Sequence, residues 1–462
     1  MRASHTWGRV AARFNDQSVV SHAGLLPMLR LAENVGFADL AAERIRIPGP
    51  AGANPSAKLL SIVAGMAAGA DSIDDLDVLR AGAMHRVFLG VRAPSTLGTF
   101  LRGFDIGHAG ALEAFAAQVL TRLARATGGR LLPGVGEYAI LDVDSKITQV
   151  YGHSKVGANR GYTHVRGYHF LAATLSTPIA APVLLATRLR GGQADTRRNA
   201  TSFVEQALRT ARGCGATENL LVRADSGYYV CSLLHAVIAA GARFSITMRQ
   251  HPGLQPVIEG IDEHAWTPIT YATPVFDQDT GTWIHTAQVA ETGYTAFTNS
   301  TEHPQGPISA RLIVRRYRTE TRTDQGELFP VWRYQAIFTN TGLNTVDAEK
   351  QHRGRAGTIE QVFADLNNSA LAHFPSGQFH ANQAWLTLTA LTHNLLRTLG
   401  VLASQAHARA RTATLRRQLI AVPARVTRTA RTLTLRLPQN WPWQDSWLGL
   451  FTSTARPPPP LR

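Results

Sequence analysis

Two apolar segments of this chain end in carboxylates. Ile140-Leu141-Asp142-Val143-Asp144 reads as a strand whose acids stand two positions apart, and Leu220-Leu221-Val222-Arg223-Ala224-Asp225 ends in another acid, followed by Ser226 and Gly227. A further acid, Glu360, sits in Thr358-Ile359-Glu360-Gln361-Val362-Phe363, where apolar residues recur at helical spacing. Side chains alternate along a strand, so Asp142 and Asp144 share one face and Val143 takes the other. Acids so far apart in sequence meet only through the fold. If they meet, they form a hard, all-oxygen site suited to Mg²⁺ or Mn²⁺ and not to zinc.

The bulk numbers name the kind of substrate such a site would face. The chain has 462 residues and 47 Lys+Arg against 32 Asp+Glu, a net charge of +15. That balance favours a polyanion, with nucleic acid first. Hydrophobic content of 44% and charged content of 17% describe a protein with true cores. Leu59 to Ala70, the longest run of small and apolar residues, is well short of the roughly 20 residues needed to cross a bilayer. No charged segment followed by an apolar one opens the chain, which argues against a secretory signal. Two cysteines, Cys214 and Cys231, exclude a disulfide framework and suit a reducing cytoplasm.

The elements that must carry the acids follow from pattern. Residues 1–130 read as helical: 25–35, 58–70, a helix starting at 71–80, one after Pro94, and 111–127 before Gly128-Gly129. Short helices with basic punctuation suit a DNA-docking module, and they equally suit a plain helical bundle. From 131 to 249 the grammar becomes strands 138–144, 167–175 and 182–189, helix 194–212, strand 220–224, helix 229–240 and strand 243–248. This order predicts an α/β fold with a mixed sheet. Residues 250–330 are rich in Thr, Pro and Gly and alternate in 283–289 and 311–318, which predicts a β-rich insertion. It turns at 323–326 into 331–340 and so returns to the sheet. Residues 331–400 then carry a long helical region with Glu360. Residues 401–462 form a basic C-terminal extension with eight Arg and no acid in 401–436, ending in a Pro-broken tail expected to be loose.

Taken together these motifs are similar to the bacterial insertion-sequence DDE transposases, in the branch with a β-strand insertion between the second Asp and the Glu. The resemblance rests on Asp-Val-Asp-Ser (142–145), Arg-Ala-Asp-Ser-Gly-Tyr-Tyr (223–229) and His-Arg-Gly-Arg-Ala-Gly-Thr-Ile-Glu-Gln-Val-Phe (352–363). It extends to 68–80, 93–104, 157–168 and 371–385. It implies an RNase H-like core in which Asp144, Asp225 and Glu360 hold two Mg²⁺ ions, with Mn²⁺ able to substitute. Such a centre cuts element ends and joins them to target DNA. The family spacing selects Asp144 over Asp142, with Lys146 where a Thr would stand; Asp142 stays in reserve. Arg355 is expected on a phosphate, although it lies five residues before Glu360 where the family has four. An extra residue sits near Gly357, the family tyrosine is absent, and Asn367 replaces a lysine.

The resemblance also implies double-stranded DNA partners, namely terminal inverted repeats and target, handled by a homodimer in the bacterial cytoplasm at the nucleoid. Arg353, Arg355, Arg160 and Arg166 are the candidate DNA contacts. The Gly/Arg/Tyr/His stretch 157–170 reads either as a DNA-contacting segment or as a hairpin packed on the sheet, and His153, His164 and His169 as surface or structural residues. The departures around Glu360 leave two alternatives open: a decayed copy that binds DNA without cutting it, and a metal-dependent nuclease without strand transfer.

Overall fold

The computed structural model describes every residue except 1–3, 153, 162–163, 278–280, 300, 302, 323–327 and 456–462. His153, the turn at 323–326 and the terminal prolines therefore lie outside the described residues. The chain forms two compact units, 120–364 and 1–119 with 365–462.

The first of these units is built on one mixed sheet. Its strands are β1 (Ala139–Gln149), β2 (Arg166–Ser176), β3 (Val183–Gly191), β4 (Leu220–Ala224), β5 (Arg243–Met248), β6 (Thr267–Asp277), β7 (Thr282–Ala296), β8 (Ile308–Arg322) and β9 (Leu328–Thr339). They lie in the order β3-β2-β1-β4-β5-β9-β8-β7-β6. β1, β4 and β5 run parallel to one another, and every other pairing is antiparallel. Helices α1 (Ala200–Gly213) and α2 (Cys231–Ala239) make the connections that parallel strands require. The central strands read as continuous apolar runs because both faces are covered: β2 is buried from Gly167 to Ser176 and β4 throughout. Leu141 and Val143 of β1 are fully buried, as are Phe203, Val204 and Ala207 of α1.

The opposite face, which carries Asp142 and Asp144, is covered by α3 (Thr345–Asn367). Phe363 of α3 meets Phe170 of β2 edge to face at 5.5 Å between ring centroids. His352 is buried between two β5 hydroxyls, with Nδ1 at 2.8 Å from Ser245 Oγ and Nε2 at 2.9 Å from Thr247 Oγ1. Gln351 Nε2 donates to the Tyr138 hydroxyl at 2.5 Å. The glutamate helix is thus bolted to the sheet by polar bonds at its centre and by aromatic packing near its C-terminal end.

The insertion is not a separate module. β9 pairs with β5 at Ala336↔Met248 to Thr339↔Ser245, so β6–β9 extend the central sheet beyond its fifth strand. One of its apolar clusters consists of Tyr271, Ile284, Ala287 and Tyr317 with Ile269 and Val275 packed against them.

The other unit combines the N-terminal helices with the C-terminal quarter of the chain. α4 (Phe379–Ala403) is buried along most of its length and is packed by helix Pro55–Ala68. Trp385, fully buried, donates its indole N–H to Ala370 O at 2.6 Å. The expected helix at 71–80 is a 3₁₀ segment, Asp74–Arg80, preceded by reciprocal bonds between Ser72 and Asp75. The long helical region is two helices, interrupted at 368–378. The tail is not loose as far as 455: a helix forms over Gln444–Ala455, and Trp447 donates to Leu419 O at 3.1 Å, so buried tryptophans override the proline-rich composition. Helix α1 begins at Ala200, six residues later than the pattern implied, because Asn199 adopts a left-handed conformation (φ 60°).

The buried imidazole gives the docking of α3 a pH signature. Burial, then the charges of Arg355 and Arg223, push His352 down to about 3, so it is neutral in the folded protein and titrates normally once unfolded. Its stabilising contribution is therefore complete above the ordinary imidazole range and is lost as pH falls from about 6.5 toward 3. Urea denaturation of the native chain should show about 2 kcal/mol less stability near pH 5 than near pH 7.5 from this group. That increment should vanish in His352→Gln; equal pH slopes for the two proteins would remove the assignment.

Candidate active site

Asp144 and Asp225 are brought together by strand register. β1 and β4 are parallel with Val143 opposite Ala224, so each aspartate is the next residue along its own chain. The β4 strand stops there because Asp225 caps a 3₁₀ turn, Ser226–Tyr228, with its carboxylate accepting from Gly227 N at 2.9 Å. Gly227 sits in close approach: a Cβ there would lie 3.0 Å from Thr196 Cγ2 and 3.1 Å from Asp225 Oδ1, so a larger residue would press on both side chains. Asp144 accepts from the Ser145 amide at 2.7 Å.

Arg355 of α3 reaches this pair, its Nη1 donating to Asp144 Oδ2 at 2.8 Å. Burial works against the guanidinium's charge, but the charges of Asp144 and Asp225 outweigh it and strengthen its hold on its proton. Asp225 is pushed the other way. Burial, then the neighbouring charge of Asp144, raise its carboxyl above the usual range, against the pull of Arg355 and the Gly227 amide. An aspartate in that condition is a place where added positive charge is favoured.

Asp142 is separated from this cluster in role although it shares the strand face. It is fully buried, and Arg223, its direct register partner on β4, grips it with two bonds of 2.6 and 2.7 Å. The same guanidinium donates to the carbonyl of Gln351 on α3. Burial pushes the Asp142 carboxyl upward and the Arg223 fork opposes it. Both oxygens of Asp142 are committed to protein.

Glu360 lies on α3, five residues beyond Arg355 and so about 140° around the helix. Its side chain is exposed and makes no hydrogen bond or ion pair with a described residue. Asp365, a further acid on the same helix, accepts from the Thr412 amide at 3.3 Å and pairs with Arg411. No group of three His, Cys, Asp or Glu side chains is gathered for a metal among the described residues. Arg353 is turned to the insertion, 3.3 Å from Glu349 and 4.4 Å above the Tyr271 ring. Arg160 is exposed on a short strand paired with the start of β2, where Arg166 donates to Gly152 O at 2.6 Å. Of the 157–170 stretch, Tyr168 and His169 are buried in β2, His169 with Nδ1 2.9 Å from Ala194 O.

Three residues escaped the sequence reading. Arg223 had a signal, since a cation inside an apolar strand requires a buried acid one strand away. Arg249 had none; exposed at the end of β5, it donates from Nε to Ser226 Oγ at 3.1 Å, and its charge acts on Asp225. Tyr228 is fully buried beside the pair. Burial and the charges of Asp144 and Asp225 push its phenol well above the usual range, and its hydroxyl has no described partner.

A strand order of β3-β2-β1-β4-β5, with one acid in the middle of β1 where its parallel pairing with β4 ends and another directly after β4, defines the RNase H-like class of nucleic-acid-processing cores; β1 itself runs five residues beyond Asp144, where the sequence reading ended the strand. Within that class the sequence itself matches Transposase DDE domain group 1 over residues 4–457, and the chain belongs to this family of transposases. No curated protein matches the chain. Among the described residues no helix is long and apolar enough to cross a membrane.

The Asp142–Arg223 pair should behave as a structural element. Asp142→Ala or Arg223→Ala alone should cost about 3–5 kcal/mol by leaving one buried charge without its partner. The double change Asp142→Leu with Arg223→Met should recover more than half of that loss. Urea midpoints for the three variants decide it, and single-variant losses below about 1 kcal/mol would mean the pair does not carry the load assigned to it.

Proposed function

We propose that Asp144 and Asp225 are the two aspartates of a divalent-metal centre that cuts element ends and joins them to target DNA, with Glu360 as the third acid. The observation that carries the reading is the juxtaposition of Asp144 and Asp225 where the parallel β1–β4 pairing ends, with a largely enclosed arginine offsetting their charge. The donor set fits a hard ion: both groups are carboxylates, and Asp225 is already in an environment that favours added positive charge. When bound, Mg²⁺ or Mn²⁺ supplies Lewis-acid activation of water or of a DNA 3′-hydroxyl and neutralises charge on the phosphate.

The chain's own residues supply the rest. Asp144 and Asp225, fixed by the β1–β4 register and by the Gly227 amide, would be the residues that hold the ion. Arg355, which bonds Asp144, would serve a phosphate oxygen, a role suited to its planar fork. Arg249, tied to Ser226 through Nε, keeps its terminal nitrogens for the substrate backbone at the rim. Glu360, about 140° around α3 from Arg355, would have to come round to the pair to complete the set. Two DNA ends handled together would call for a homodimer.

A second reading has its own observation. With Arg355 on Asp144 and Glu360 pointing outward, the chain has the features of a transposase fold that binds DNA without cutting it.

Cleavage of DNA carrying the element's flanking ends separates the two. Mg²⁺- or Mn²⁺-dependent cutting by the native protein should fall at least about a thousandfold in Asp144→Ala, Asp225→Ala and Glu360→Gln, in line with a loss of roughly 4 kcal/mol of transition-state stabilisation. Cutting that survives in Glu360→Gln would dismiss that residue alone. Equal, metal-independent binding without cutting by all four proteins would leave the silent-binder reading standing.

A further inference from the structure

The arginines of 401–436 differ in setting in the folded chain. Arg416 is largely enclosed, Arg411 is exposed but paired with Asp365, and Arg409 and Arg417 are exposed outside any strand. Arg425, Arg428, Arg431 and Arg436 instead decorate a two-stranded ribbon, β10 (Ala424–Thr429) and β11 (Thr432–Arg436). Its base is anchored: Ala424 and Val426 are buried, and Val19–Val20 pair with β10. From Arg428 onward the ribbon is almost wholly exposed, and it closes through a two-residue connection, Ala430-Arg431, with Ala430 in the left-handed region (φ 40°).

Register gives the ribbon one uniformly polar face. Arg425 stands opposite Arg436, Thr427 opposite Thr434 and Thr429 opposite Thr432. Like charges directly across a strand pair are destabilising in water alone. Arg425 has Asp16 at 2.6 Å, but Arg428, Arg431 and Arg436 make no ion pair with a described residue, and 401–436 contain no acid. A ribbon that exposes three cations without an ion-pair partner among the described residues, together with a row of hydroxyl donors, is complementary to a polyanion. Its two-strand width matches the major groove of B-DNA, about 12 Å across, which admits a β-ribbon as readily as a helix.

We propose that β10–β11 is a duplex-DNA-binding ribbon that enters the major groove, with its arginines on the flanking phosphates and its threonine row toward the base edges. It is a contact separate from the carboxylate centre, and it holds duplex whether or not that centre cuts.

The test uses the full chain in EDTA, so that binding is read apart from cleavage, with a fluorescein-labelled mixed-sequence duplex titrated at several salt concentrations. The combined change Arg428→Ser, Arg431→Ser and Arg436→Ser should lower the slope of log affinity against log salt by about 0.9 for each phosphate no longer neutralised and weaken binding about tenfold or more. The corresponding three Arg→Lys changes should keep the slope. A single strand of the same length should lose less than the duplex. Thr434→Glu, which removes no arginine, should weaken duplex binding on its own and decides the matter if the serine variant fails to fold. Unchanged slope and affinity in a folded serine variant, or in Thr434→Glu, would overturn the proposal, as would a native chain that does not bind duplex.

Discussion

Two carboxylates held next to each other at the mouth of a buried sheet repel, and the surrounding structure is organised around managing that repulsion. Parallel register forces Asp144 and Asp225 together and leaves no freedom to separate them. Compensation has to come from another element, and α3 provides it by delivering Arg355 to Asp144. For an arginine to be delivered there, the helix must be held in one rotational setting. That explains why its middle turn is fastened by Arg223, His352 and Gln351 to three different parts of the sheet edge and interior.

The division of labour between Asp142 and Asp144 is a consequence of depth. Both point to the α3 side, but Asp142 lies opposite Arg223 within the ladder, whereas Asp144 is one pleat further toward the strand end and partly open. A buried ion pair of this kind contributes little net stability compared with an apolar pair of the same size. What it contributes is geometry, because the guanidinium that satisfies Asp142 also carries a bond to the main chain of the glutamate helix.

Most of the core was legible in the sequence, and the reasons are local. Apolar runs mark β4, β5 and the first half of β1, which continues past its acids to Gln149, and the Ser226-Gly227 step marks the turn that stops β4. Family spacing selects Asp144 over Asp142; in the structure Arg355 bonds Asp144, whereas Asp142 is gripped by Arg223. What could not be read depends on long-range pairing. Arg249 is adjacent to Ser226 only because β5 lies beside β4. The joining of residues 1–119 with 365–462 rests on α4 packing that leaves no trace in periodicity. The orientation of Glu360 was hidden for another reason: helical continuity through Gly357 sets its azimuth, and motif spacing does not encode that angle.

The pairing of β9 with β5 has an implication for how this architecture tolerates change. A core ending at β5 would present a row of unpaired amides and carbonyls, an open template for pairing with any other strand. The insertion seals that edge with a strand of its own, and its other hairpins extend outward from there. Lengthening or shortening β6, β7 or the β8–β9 tip therefore changes the outer margin of the sheet while the β5 boundary remains capped. Sequence drift can accumulate at that margin without a change of register reaching Asp144 and Asp225.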